Sequence, residues 1–136
     1  MKQLSAAPSD ASVVRVRNAE GRPEGAGFLA GYREVITCAH VVARALGAST
    51  ETSTEPPAGR LWIDFPLAEH GQRLEVRIGA WVPVRADGSG DVAVLRLLTD
   101  PPDRAMVARL VEGVAEPDRR VRTFGFPSAY DDGVWS

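Results

Sequence analysis

Val35-Ile36-Thr37-Cys38-Ala39-His40-Val41-Val42 is the stretch on which the reading of this chain turns. Its first half is short, apolar and β-branched, which predicts a strand over Val35 to Cys38. From Ala39 to Leu46 the pattern changes to one that makes one or two helical turns before Gly47. His40 therefore falls where a strand hands over to a helical turn, at the rim of a core, where a side chain is both held and reachable. Upstream, a strand is expected from about Gly25 to Tyr32. Its glycines, Gly25, Gly27 and Gly31, predict a bulge, a barrel bend or a close backbone approach. Downstream, Gly90-Asp91-Val92-Ala93-Val94-Leu95-Arg96-Leu97 is apolar at nearly every position except Arg96, the pattern of a strand covered on both faces.

The remaining segments fit the same architecture. Ser12 to Arg17 reads as a strand that breaks at Asn18-Ala19-Glu20-Gly21, and Leu61 to Phe65 as another. From about Arg73 to Val84, Leu74, Val76 and Ile78 alternate with Glu75 and Arg77, the period of a strand with one wet face; Gly79 and Pro83 predict a bend and an edge. Residues 48–59 hold two prolines and no large apolar side chain, so a solvated, mobile loop is expected there. The segment from about Ala105 to Leu110 is ambiguous between strand and helix, and Val121 to Phe126 reads as a last strand ending at Pro127. Six or seven short strands and one short helix predict an all-β fold, an antiparallel Greek-key barrel of about six strands. The expected division is a flexible arm over 1–11, the barrel over 12–128, and over 129–136 the start of a linker.

Composition narrows the function classes. The chain has 136 residues, 44% of them hydrophobic and 25% charged, enough for one domain with a real core. The net charge of −2 is spread without basic clusters, which disfavours nucleic acid and anionic membranes as partners. The single cysteine, Cys38, excludes an internal disulfide and suits a reducing compartment. With no signal-like leader and no apolar run of about 18 residues, the expectation is a cytoplasmic chain that does not span a membrane. No His/Cys/Asp/Glu group has metal-ligand spacing, and no glycine loop precedes a helix as phosphate binding needs, so neither metal nor cofactor is expected.

A histidine ending one buried strand and an aspartate starting another can be joined by a barrel into the base and orienting carboxylate of a nucleophilic hydrolase. Cys38 is expected to be a small buried hydrophobe. Its use as a nucleophile beside His40 is disfavoured. His70, in Ala68-Glu69-His70-Gly71-Gln72, reads as an exposed loop residue, and Trp62 and Trp81 as packing residues.

Gly25-Ala26-Gly27-Phe28-Leu29 followed by Val35 to Val42 resembles the histidine region of the trypsin-like serine proteases. Gly90 to Leu97 resembles that family's aspartate strand, and Phe124-Gly125-Phe126-Pro127 the strand and turn that close its first barrel. The likeness spans roughly residues 12 to 128. Val41 follows the histidine where vertebrate digestive members have a cysteine, and there is no Ile-Val-Gly-Gly start, so the resemblance is closer to bacterial and HtrA-like members. It implies peptide-bond hydrolysis of a peptide or protein substrate, with His40 as general base and Asp91 as its orienter.

The nucleophile that this resemblance requires lies in a Gly-Asp/Asn-Ser-Gly loop, and the chain has none. Ser128 and Ser136 lack the glycine neighbours that let amides surround an oxyanion, so neither is assigned a catalytic role. The resemblance thus implies the N-terminal half of a serine endopeptidase, inactive alone, whose partners are a missing C-terminal barrel and further regulatory domains. Two other readings stand beside it: a non-catalytic barrel used as a binding or regulatory module, and a homodimer through the face the second barrel would otherwise cover.

Overall fold

The computed structural model describes residues 8–49, 51–113, 117–118, 123–127 and 131–135. A 3-10 turn, Pro8–Ser12, leads into six strands: β1 (Val13–Arg17), β2 (Pro23–Gly31), β3 (Glu34–Thr37), β4 (Leu61–Phe65), β5 (Glu69–Val84) and β6 (Gly90–Leu97). They close into an antiparallel barrel in the order β1-β2-β3-β6-β5-β4. Consecutive hairpins join β1 to β3, and the chain then crosses over to place β4 beside β1, the Greek-key arrangement. The crossover carries α1 (Ala39–Ala45).

Period-two patterning decides what enters the barrel. Val14, Val16, Leu29, Val35, Ile63, Phe65 and Leu95 are buried in a single cluster, and each such side chain contributes about 1.5–3 kcal/mol on leaving water. Gly25 answers the question posed by glycines in a strand: a Cβ there would collide with the Val41 methyls, so β2 can pass under α1 only without a side chain. In β5 the register slips between Ile78 and Ala80, which puts the bend at Gly79 as the sequence predicts. Pairing with β4 runs from Glu69 to Val76, so Pro83 falls in the half of β5 that pairs with β6.

Several expectations change. In β6, Ala93, Leu95 and Leu97 are buried, but Val92 on the other face is 38% exposed, so the strand is covered on one side only. The closing strand expected over Val121–Phe126 is not a barrel strand: β7 (Phe124–Gly125) pairs instead with β8 (Val134–Trp135), because β1 and β4 already close the sheet and leave no edge. Residues 121–122 lie outside the described ones. The loop of residues 48–59 is tied to β5, where Glu51 O accepts from Val84 N at 2.7 Å and Ser53 O from Trp81 Nε1 at 2.8 Å. The stretch from Ala105 to Leu110 is neither strand nor helix; it lies along the barrel through Met106 N to Ala11 O at 3.1 Å and Ala108 N to Leu29 O at 2.8 Å. His70 lies within β5 and not in a loop.

On the outer face of β1 and β4 sits a feature that charge counting conceals. Asp64, fully buried, accepts from Arg15 Nε at 2.9 Å and Nη2 at 2.7 Å, and from Arg17 Nη2 at 2.8 Å. Arg15 also donates to Asp131 O at 2.6 Å, tying the C-terminal segment over the cluster. Burial by itself raises the Asp64 carboxyl, but the arginine hydrogen bonds and charges outweigh it and hold the group below its ordinary value.

Candidate functional site

The register between β3 and β6 builds the site. Thr37 pairs with Ala93 in antiparallel sense, so the three residues after Thr37 run beside the two before Ala93. That pairing alone delivers residues 38–40 and 91–92 to one end of the barrel. Thr37 anchors the strand end: its Oγ1 donates to Ala26 O at 2.8 Å and its side chain is buried. Ala39 is fully buried, so the turn into α1 packs tightly just before His40.

His40 and Asp91 make two hydrogen bonds. Asp91 Oδ1 accepts from the His40 backbone N at 2.8 Å, and Oδ2 lies 2.6 Å from His40 Nδ1. The first bond satisfies one of the amides that a helix leaves unpaired in its first turn. The second fixes the ring. An ionised carboxylate only accepts, so Nδ1 carries the proton and Nε2 is left with a free lone pair. The His40 side chain is 40% exposed and that of Asp91 25%, so the pair is reachable from solvent.

Asp91 reaches this position through an unusual backbone. Its φ of 63° follows Gly90 at 83°, two successive left-handed residues at the start of β6. A non-glycine residue held there costs about 1–3 kcal/mol, least for Asp and Asn. The hairpin ahead supports the turn: Arg85 N donates to Ser89 O at 2.9 Å, and Asp87 Oδ1 accepts from Ser89 N at 2.9 Å and Ser89 Oγ at 2.6 Å.

Cys38 packs against the core as expected but is only partly buried. Its sulfur, a ring nitrogen of His40 and a carboxylate oxygen of Asp91 all lie within 4.8 Å of one another. Strand alternation gives no ground for separating Cys38 from His40, since it puts residues two apart on one face, and β3 in any case ends at Thr37 with α1 beginning at Ala39. Burial, and then the charge of Asp91, push the thiol up from its ordinary value, so at neutral pH it is the thiol and not the nucleophilic thiolate. Spacing in the sequence does not show this three-residue cluster, because 51 residues separate His40 from Asp91.

Beside the pair runs an apolar groove of about 480 Å³, lined by Val13, Phe28, Ile36, Val92, Phe124 and Trp135 among others. The exposed face of β6 forms part of its wall. Ser128 and Ser136, the serines that follow Asp91 in the sequence, lie outside the described residues. Among the described residues no helix is long and apolar enough to cross a membrane.

No family model matches the chain, and no curated protein matches it in sequence. Solved structures do match. Rv3671c from M. tuberculosis H37Rv, in the inactive form of a serine-to-alanine mutant, superposes with a TM-score of 0.62 at 21% identity over 93% of this chain and 51% of that one. Kallikrein-related peptidase 10 gives a TM-score of 0.66 at 19% identity, covering 96% of this chain and 57% of its own. This chain thus spans a little over half the length of these structures. At such identities the likeness is one of fold, and the fold is that of a single barrel of the trypsin-like serine proteases.

Proposed function

We propose that this barrel carries the base and its orienting carboxylate for a serine endopeptidase, with His40 and Asp91 in those roles and the nucleophile supplied by a second barrel. The observation that carries the reading is the 2.6 Å Nδ1 to Oδ2 hydrogen bond, which holds His40 in the tautomer a general base needs. In that reaction Nε2 takes the proton of a serine hydroxyl as the oxygen attacks the peptide carbonyl. Asp91 stabilises the resulting imidazolium without itself taking the proton, and His40 then returns the proton to the leaving amine. The apolar groove beside the pair is where the second barrel packs, bringing the serine and the amides of the oxyanion hole. A barrel without those groups has no means of stabilising the tetrahedral intermediate, so this chain alone is inactive.

A fluorophosphonate probe applied to the longest product of the reading frame that contains residues 1–136 tests this. The expected result is a single adduct on a serine beyond Ser136, lost in His40→Ala. A folded product with the His40 to Asp91 hydrogen bond intact and no adduct would refute the hydrolase reading in favour of a barrel that only binds.

A further inference from the structure

We propose that Cys38, His40 and Asp91 form a binding site for a thiophilic divalent cation, Zn²⁺ foremost. Their donor atoms lie within 4.8 Å of one another and all three residues are part-exposed, so an ion can reach them from solvent. One sulfur, one nitrogen and one oxygen around an open fourth position is a donor set zinc accepts in tetrahedral geometry, with bonds of about 2.0–2.3 Å. Donors bound this way stand roughly 3–4 Å apart, somewhat closer than the 4.8 Å within which these three now lie. A thiolate among the ligands selects Zn²⁺, Co²⁺ or Cd²⁺ over Mg²⁺ and Ca²⁺.

Proton accounting is complete with groups already present. Cys38 gives its Sγ proton to solvent and donates the electron pair, and Asp91 ligates as the anion. His40 ligates through Nδ1, the nitrogen that faces Asp91, once the ring proton has moved to Nε2. Oδ2 and Nδ1, now 2.6 Å apart, stand closer than two tetrahedral donors do, so binding opens that hydrogen bond. The ion therefore competes with the arrangement that makes His40 a base. Binding itself is independent of the endopeptidase reading; only the consequence, that Zn²⁺ switches the site off, rests on it.

Titration of the 136-residue chain with Co²⁺ tests the site. The expected result is saturation at a single site, a thiolate-to-cobalt charge-transfer band in the near ultraviolet, the intense visible bands of four-coordinate cobalt, and displacement of all of these by Zn²⁺. Cys38→Ser loses the charge-transfer band. His40→Gln and Asp91→Asn each weaken Co²⁺ binding at least about tenfold, while His70→Gln binds as the parent does. Cooperative thermal unfolding of each variant separates loss of a ligand from loss of the fold. A parent chain without the thiolate band overturns the proposal, as does a band that survives unchanged in both His40→Gln and Asp91→Asn. The readout needs no turnover, so its failure is distinguishable from failure of the hydrolase assignment.

Discussion

Replacing Asp91 by Asn separates what this carboxylate does for the fold from what it does for chemistry. Two donors face it, the His40 backbone N at 2.8 Å and Nδ1 at 2.6 Å. An amide offers one acceptor and one donor group, so one of those contacts becomes donor against donor. The backbone amide cannot give up its hydrogen, but the ring can move its proton from Nδ1 to Nε2. The amide oxygen therefore stays on the backbone N, the amide nitrogen donates to Nδ1, and His40 becomes the other tautomer with no free lone pair at Nε2. Both hydrogen bonds survive as neutral ones, and Asn tolerates the left-handed backbone as well as Asp. The stability loss is then about 1 kcal/mol, the difference between charge-assisted and neutral bonds at a part-exposed site. On the proposed function, catalysis by the intact protein falls by about 10⁴, equivalent to roughly 5.5 kcal/mol of transition-state stabilisation. Long-range ¹H–¹⁵N NMR on this chain reads the tautomer directly, with the only other histidine, His70, removed as His70→Gln for assignment. A ring still protonated on Nδ1 in Asp91→Asn would refute the reasoning, and so would a stability loss of several kcal/mol.

Other outcomes follow from the same geometry. Gly90→Ala places a Cβ against Pro83 O at a φ of 83°, whereas Gly88→Ala at the same φ meets open space. The second therefore loses about 1 kcal/mol to backbone strain alone and the first clearly more, readable as a difference in urea midpoint; equal losses would count against the tight turn before Asp91. Asp64→Leu strands the buried Arg15 guanidinium and costs about 3–5 kcal/mol, and adding Arg15→Met recovers most of it, since an apolar pair of similar volume needs no counter-charge. Because the Asp64 carboxyl is held below its ordinary 3.8, its contribution is present above that value and is lost as pH falls through the lower folded-state value. Acid unfolding of Asp64→Leu with Arg15→Met is accordingly shallower than that of the parent.

The barrel was legible because its strands announce themselves one at a time: β1, β3, β4 and β6 are short β-branched runs between turn residues, and Gly79 marks its own bend. Long-range consequences were not. Nothing local in Arg15, Arg17 or Asp64 distinguishes solvated strand charges from a buried cluster; that depends on β1 lying beside β4 in the register Arg15 to Asp64 and on Asp131 folding back over it. Val92 and Val94 read as doubly covered because sequence reports apolarity and cannot report what packs on the second face. At the site, the pairing of His40 with Asp91 was legible through motif likeness, whereas the nearness of Cys38 to both was not, because it depends on the turn from β3 into α1 and on a partner distant along the chain.

The two bonds of Asp91 also bear on how such a half-site could work. One oxygen caps the first turn of α1 and the other orients the ring on that same turn, so the helix start, the ring and the carboxylate are fixed as one unit by the β3 to β6 register. All of the ordering this requires is met when the barrel folds, before any second barrel arrives. Docking in the apolar groove would then have to align only the incoming nucleophile, since base and orienter already hold their geometry to within a hydrogen-bond length. A preformed unit of this kind has a corresponding exposure. Part-open donors held close together before the partner covers them are what a thiophilic cation needs, and Cys38 supplies the sulfur that turns a base and its orienter into a chelate. On the two proposals, docking of a second barrel and binding of the cation draw on the same face, and each is expected to weaken the other.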